Sequence, residues 1–205
     1  MTSTRPGSTI LASRLAGVVL VAAVMVVSVI SGVALADPVL RQSDRVADLT
    51  FGLICPPPDG ERRPAPDTLS GWVHVPQEPI LRQADSRLVP AVLGIGFGVW
   101  FSLTDSDAVD LRYTITHPPM PPGGEMTQSW EVVIGPGNAS SAFFQFDHPE
   151  EVQPGDWMIS ASSDGAEVFA VGFTVLPPRA LPALADLCDQ DTLLSFSPPT
   201  RAAKG

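Results

Sequence analysis

Residues 93–103 alternate large apolar side chains with small or aromatic ones, and this period of two restricts the fold more than any other feature of the sequence. Successive side chains of a β-strand point to opposite faces, so the pattern predicts a strand with one continuous apolar face. The opposite face carries three glycines and Trp100. Glycines inside a strand usually mark close packing by a neighbouring backbone, which we expect here. The alternative is a shallow ligand groove at Gly94, Gly96 and Gly98, with Trp100 at its end.

Apolar alternation predicts further strands, separated by proline and glycine. The first covers 47–55 and ends because Pro56 cannot donate to a sheet ladder. Residues 56–69 are predicted to be a loop. The later predicted strands are 71–75 at a sheet edge, 111–117, 130–134, 139–146 and a pair flanking Asp164. The turn residues Gly135-Pro136-Gly137-Asn138 predict a hairpin between 130–134 and 139–146.

The register of the last hairpin follows from its apolar residues. A two-residue loop would pair Trp157 with Gly172, whereas a three-residue loop over 163–165 pairs Trp157 with Val171. The second register opposes apolar residues to apolar residues and places a glycine where a left-handed conformation is needed. We therefore predict the three-residue loop.

These elements predict an all-β fold, an antiparallel immunoglobulin-like sandwich of about 7–8 strands. The predicted organisation is an export segment over 1–36, an N-terminal extension over 37–45, the sandwich over 46–176, and a C-terminal tail over 177–205 that carries Cys188.

Residues 1–36 have the pattern of a signal peptide. Arg5 and Arg14 precede an apolar run, and Ala34 and Ala36 provide small residues before a cleavage site. The apolar run is longer than in most signal peptides, so an uncleaved inner-membrane anchor over 15–36 is the alternative. Both arrangements place the rest of the chain in the periplasm or outside the cell.

The charge of the chain excludes one class of partner. Loss of Arg5 and Arg14 would change the net charge from −10 to −12, and Lys204 is the only lysine. Phosphate backbones are bound by clustered positive charge, so we expect no nucleic-acid binding. For the same reason, we expect contact with a membrane only through an uncleaved 15–36 segment.

Two cysteines, Cys55 and Cys188, lie near opposite ends of the exported part. In an oxidising compartment they are expected to form one structural disulfide. Two buried free thiols are the alternative.

The sequence lacks the common catalytic and phosphate-binding signatures, so we expect neither enzyme activity nor a cofactor. An envelope hydrolase remains an alternative because a Ser-His-Asp triad assembles from distant positions. His74, His117 and His148 are its candidate histidines.

Soft ligands cluster loosely in the middle of the chain. His117, Met120, Met126 and His148 are residue types that a periplasmic Cu(I) site uses, which makes a copper-handling protein the second hypothesis. The alternative is a purely structural role, in which His117 ends a strand and Met120 covers the core. The ligand-binding candidates are Trp100, His117, Met120, Trp130 and His148, with no metal site assigned.

Six short segments stand out in order along the chain: Gly52-Leu53-Ile54-Cys55, Pro66-Asp67-Thr68-Leu69-Ser70-Gly71, Leu88-Val89-Pro90-Ala91-Val92-Leu93-Gly94, Phe97-Gly98-Val99, Thr116-His117-Pro118-Pro119-Met120 and Pro154-Gly155-Asp156-Trp157. Together they resemble a family of exported proteobacterial domains of unknown function, over about residues 48–176. The resemblance implies a small β-sandwich in the envelope of a Gram-negative bacterium and carries no activity. The most specific segment is His-Pro-Pro-Met, although the loop after it is shorter here than the family suggests.

The expected function is therefore a non-enzymatic envelope interaction or accessory module. Its expected partner is an envelope protein or a polysaccharide, bound through a sheet face or through loops.

Overall fold

The computed structural model describes residues 39–55, 60–137 and 139–188. Strands dominate these residues. In chain order they are β1 Leu40–Gln42, β2 Val46–Ile54, β3 Gly60–Pro64, β4 Trp72–Pro76, β5 Arg82–Ala84, β6 Leu88–Pro90, β7 Gly96–Leu103, β8 Val109–Met120, β9 Glu125–Ile134, β10 Ala139–Gln145, β11 Gly155–Ser163 and β12 Ala166–Leu176. A short α-helix, α1, spans Pro182–Ala185, and single 3-10 turns cover Pro149–Glu151 and Pro178–Ala180. The predicted all-β class is confirmed.

Two sheets enclose the core. One has the order β1-β12-β11-β8-β9, with β6 pairing in parallel beside β12, and the other has the order β10-β7-β2-β5. Aromatic rings from the two sheets meet between them: Phe97 lies 4.8 Å from Phe173, and Phe101 lies 4.8 Å from Phe169, measured between ring centroids. The antiparallel sandwich is therefore confirmed. A third, two-stranded sheet pairs β3 with β4.

Strand β7 shows how the period of two builds the core. Phe97, Val99 and Phe101 are almost fully buried and form the inner face of their sheet. On the outer face, a Cβ added to Gly98 would lie 2.9 Å from both the Ala142 carbonyl oxygen and the Phe143 Cβ. Close packing of the neighbouring strand β10 thus explains the glycine at position 98. This packing leaves no groove at Gly98.

The predicted hairpin between residues 130–134 and 139–146 is wrong. Strand β9 pairs with β8, and β10 pairs with β7 in the other sheet. The connection after Ile134 therefore crosses from one sheet to the other. Local turn residues cannot distinguish such a crossing from a hairpin, because glycine and proline suit both.

The last hairpin uses a two-residue loop, so the predicted register is also wrong. Ser163 pairs with Ala166 across Asp164-Gly165, and both loop residues have positive φ, 51° and 77°. Such angles are those of a type I′ turn. A β-bulge between Ala161 and Ser162 then shifts the pairing, so that Trp157 opposes Phe173. The bulge restores apolar pairing despite the short loop.

The structure contains more strands than the 7–8 predicted, including one in the predicted N-terminal extension and one in the predicted loop. Strand β1 belongs to the predicted extension over 37–45 and pairs with β12. Strand β3 lies inside the predicted loop over 56–69. Both are short and have only exposed residues, so they carry no apolar alternation that a sequence pattern would reveal.

The predicted disulfide is confirmed. Cys55 and Cys188 are bonded, with their Cα atoms 5.5 Å apart. The bond fixes the C-terminal segment beside the end of β2, where Leu184 and Leu187 pack against the core.

The predicted export segment over 1–36 lies outside the described residues. Within 39–55, 60–137 and 139–188, no helix has the length and hydropathy needed to cross a bilayer.

Candidate functional site

A cleft of about 420 Å³ opens at one edge of the sandwich. Its floor comes from β8, β9 and β10, and the β3–β4 hairpin with residues 77–80 forms its outer wall. Five aromatic side chains line it: Trp72, Tyr113, Trp130, Phe143 and Phe144. The volume and the aromatic lining are typical of a ligand-binding cleft.

Tyr113 and Trp130 form the base of the cleft. Their rings pack edge to face with centroids 5.6 Å apart, on neighbouring strands where the two residues are paired. The Tyr113 hydroxyl lies 3.1 Å from the Ser140 hydroxyl on β10, so a hydrogen bond joins the two sheets at this point. Burial raises the pKa of Tyr113 to about 12, although its hydrogen bond to Ser140 lowers it. The phenol is therefore a neutral group at ordinary pH.

The outer wall is held in place through the turn between β3 and β4. The Ser129 backbone N–H on β9 donates to the Asp67 carbonyl at 3.1 Å, and the Gln128 side-chain oxygen accepts from the Leu69 N–H at 3.1 Å. Ala65, at the start of the turn, is buried. These contacts hold the β3–β4 hairpin against β9, the last strand of its sheet. The cleft lies between β4 of this hairpin and β10.

Strand β10 is the last strand of its sheet and presents a free edge to the cleft. Phe146, just after it, bonds through both its N–H and its carbonyl to the chain leading into β7. Because these groups alternate along an antiparallel strand, those of Ser141, Phe143 and Gln145 point away from β7. All three residues line the cleft, and their backbone groups have no hydrogen-bond partner among the described residues.

The rim of the cleft is acidic. The charged side chains of its lining are the acids Glu78, Asp147 and Glu151 and the single cation Arg63. The Glu151 carboxylate accepts the backbone N–H groups of Asp147 and His148 at 2.7 and 2.9 Å. Burial nevertheless raises the pKa of Glu151, an effect that these hydrogen bonds partly offset.

The structure places two of the five predicted ligand-binding residues in this cleft. Trp130 forms part of its base and His148 part of its rim. Trp100 lies on the outer face of its sheet instead, where its indole N–H donates to the Ile80 carbonyl at 3.2 Å. This contact helps to hold residues 77–80, which form part of the cleft wall.

His117 and Met120 are buried, 3% and 0% exposed. The His117 ring stacks on Trp157 with centroids 5.0 Å apart. Its Nδ1 lies 2.9 Å from the Pro118 carbonyl, which can only accept, so Nδ1 carries the proton. Nε2 then accepts from the Gln128 amide at 3.3 Å. Burial lowers the pKa of His117, and its bond to Pro118 partly offsets this.

These contacts bear on the copper hypothesis. Both ring nitrogens of His117 are already hydrogen-bonded, while Met126 is 55% exposed on β9. Within the part of the chain that the structure describes, no three His, Cys, Asp or Glu side chains are grouped to hold a metal ion. A metal at His117 would first have to displace Pro118 or Gln128.

Sequence reasoning predicted a strand over 71–75 but missed the hairpin that makes it the outer wall of the cleft. Trp72 and His74 lie on β4, whose neighbour β3 was expected to be loop. The available signal was Trp72 itself, an aromatic residue in a short edge strand. The Arg62 guanidinium covers its ring from β3 at 4.1 Å, which supports the hairpin from its own side.

A solved structure similar to this chain is that of an immunoglobulin-like protein from Pseudomonas aeruginosa. It shares 19% sequence identity and a TM-score of 0.43, and the match covers 67% of this chain and 96% of that one. No curated protein matches the sequence. A family model described as Domain of unknown function (DUF3859) matches residues 42–175, and the chain therefore belongs to that family.

Proposed function

We propose that this protein is a non-enzymatic interaction module of the bacterial cell envelope and that it binds its partner in the cleft between β4 and β10. The observation that carries the proposal is the aromatic lining of the cleft. Tyrosine and tryptophan dominate binding energy at interfaces because they combine a large apolar area with a polar tip. The envelope location rests on the sequence of residues 1–36 alone.

The base of the cleft supports binding rather than catalysis. Among the lining residues on β8, β9 and β10, Tyr113 is the ionisable one, and a pKa of about 12 makes it a poor proton donor or acceptor near neutral pH. Its hydroxyl is also occupied by Ser140. The hydrolase and copper alternatives remain predictions, and no contact among the described residues favours either. Elemental analysis after anaerobic copper loading tests the latter.

A photo-reactive amino acid placed at Gln77 tests the binding site. Gln77 is exposed and lines the cleft, whereas the matched control position, Val133, is 65% exposed outside it. We expect an adduct with an envelope protein or polysaccharide from position 77 and none from 133. The adduct should weaken when Trp130→Ala is added. Equal adducts from both positions, or none from position 77, would contradict the proposal.

A further inference from the structure

The free edge of β10 narrows the choice of partner. Natural proteins protect exposed sheet edges with charged residues, proline, bulges or a covering element. Ala139–Gln145 contains neither charge nor proline, and its pairing with β7 is regular over all seven residues. An edge of this kind readily accepts another extended strand.

The cleft gives such a strand access to the edge. The outward backbone groups of Ser141, Phe143 and Gln145 all lie along its lining. At about 3.4 Å per residue, the distance from 141 to 145 is about 14 Å, which matches five residues of extended chain. The aromatic base beside this edge provides apolar contacts for the side chains of such a segment.

The charge of the rim selects among peptides. Three acids of the lining, Glu78, Asp147 and Glu151, outnumber its single cation, Arg63, and the whole chain has a net charge of −10. Complementary charge favours encounter with a basic partner and disfavours an acidic one.

We propose that the cleft binds an extended, basic polypeptide segment, which pairs with β10 as an added strand. This inference rests on the proposed function and names its partner class. Backbone hydrogen bonds to residues 141, 143 and 145 hold the segment, alternate apolar side chains contact the aromatic base, and lysine or arginine side chains face the acidic rim.

A library of random linear octapeptides tests the proposal on the purified full-length protein. Peptides are selected on the wild type alone, and the affinity of the enriched peptides is then measured on Ser141→Pro. This substitution removes an outward N–H of β10, while the ladder to β7 uses the alternate residues. Ser141→Ala is the matched control because it loses the hydroxyl and keeps the N–H.

We expect enriched peptides to alternate apolar with basic residues. Ser141→Pro should bind them about tenfold more weakly or worse, whereas Ser141→Ala should bind them like the wild type. A synthetic copy methylated at alternate backbone nitrogens should lose affinity for the wild-type protein to a similar extent. The comparison of methylated with unmethylated peptide uses only the wild-type protein. It therefore tests pairing with β10 even if Ser141→Pro does not fold.

Each contrary result is distinct. Equal binding of the methylated and unmethylated peptides overturns pairing with β10. A lack of enriched peptides, together with a glycan or protein adduct at Gln77, overturns the peptide partner and leaves the interaction function standing. Enrichment of acidic peptides overturns the charge argument.

Discussion

The Tyr113 hydroxyl on β8 lies 3.1 Å from the Ser140 hydroxyl on β10, so the two sheets are hydrogen-bonded to each other at the base of the cleft. The chain has one tyrosine, so tyrosinate absorbance reports this site alone. The same contact therefore joins the sheets, shapes the candidate site and supplies a spectroscopic probe.

We predict that Tyr113 ionises with a midpoint near pH 12 in the folded protein, because burial disfavours the phenolate. In denaturant the midpoint should return to about 10. Ser140→Ala should move the folded midpoint higher still, since the hydrogen bond to Ser140 lowers the pKa. Absorbance titration measures all three, and a folded midpoint near 10 would show that the phenol is exposed.

Ionisation of Tyr113 should also make the fold less stable at alkaline pH. The neutral form is favoured in the fold, so its stabilisation is complete below pH 10 and disappears as pH rises from 10 to about 12. Tyr113→Phe should abolish this part of the alkaline loss. Comparison of the two proteins by denaturant unfolding between pH 9 and 11 separates Tyr113 from other groups.

How far the sequence predicts this molecule depends on the kind of information each element requires. Strands β2 and β7 were predictable because a buried face imposes a period of two on consecutive residues. Cys55 and Cys188 were predictable as a pair because the chain has two cysteines. These inferences need no knowledge of which strands are neighbours.

The rest depends on contacts between distant residues. The crossing from β9 to β10 and the bulge at Ala161 are set by how the two sheets fill the core, which no local pattern encodes. The cleft combines β4 with β8, β9 and β10, so its lining appears only once these strands are assembled. Trp130 and His148 were identified by residue type. Trp72 was predicted to lie in a strand but was missed as a site residue, because its exposed partner β3 has no apolar alternation and was expected to be loop.

Reduction of the Cys55–Cys188 disulfide is predicted to destabilise the fold by about 2–5 kcal/mol, because the bond closes a separation of 133 residues and restricts the unfolded chain. Denaturant unfolding with and without reductant measures the loss. The double variant Cys55→Ala, Cys188→Ala should match the reduced protein and be insensitive to reductant. Equal stability of the oxidised and reduced proteins would contradict the prediction.

Gly98→Ala is predicted to cost about 1–3 kcal/mol of unfolding free energy, because its Cβ would lie 2.9 Å from the Ala142 carbonyl and the backbone must shift. Ser102→Ala is the matched control on the same face of β7 and should cost less than about 0.5 kcal/mol. Denaturant unfolding compares the two. A harmless Gly98→Ala would mean that β10 can move away from β7 without cost.

His117 is predicted to make the fold less stable as the medium becomes acidic. Burial lowers the pKa of His117 in the folded protein below its ordinary value of 6.5. The unfolded chain therefore binds the proton more strongly than the folded protein does. The stability present above pH 6.5 is then lost as pH falls toward the folded pKa, at no more than about 1.4 kcal/mol per pH unit for one proton.

Protonation would also place a second N–H of His117 against the Gln128 amide, which donates to Nε2 and accepts from Leu69 through its oxygen. His117→Gln should therefore flatten the dependence of unfolding free energy on pH between 7.5 and 5.5. A wild type whose stability is constant over that range would show that His117 takes up its proton as easily in the fold as outside it.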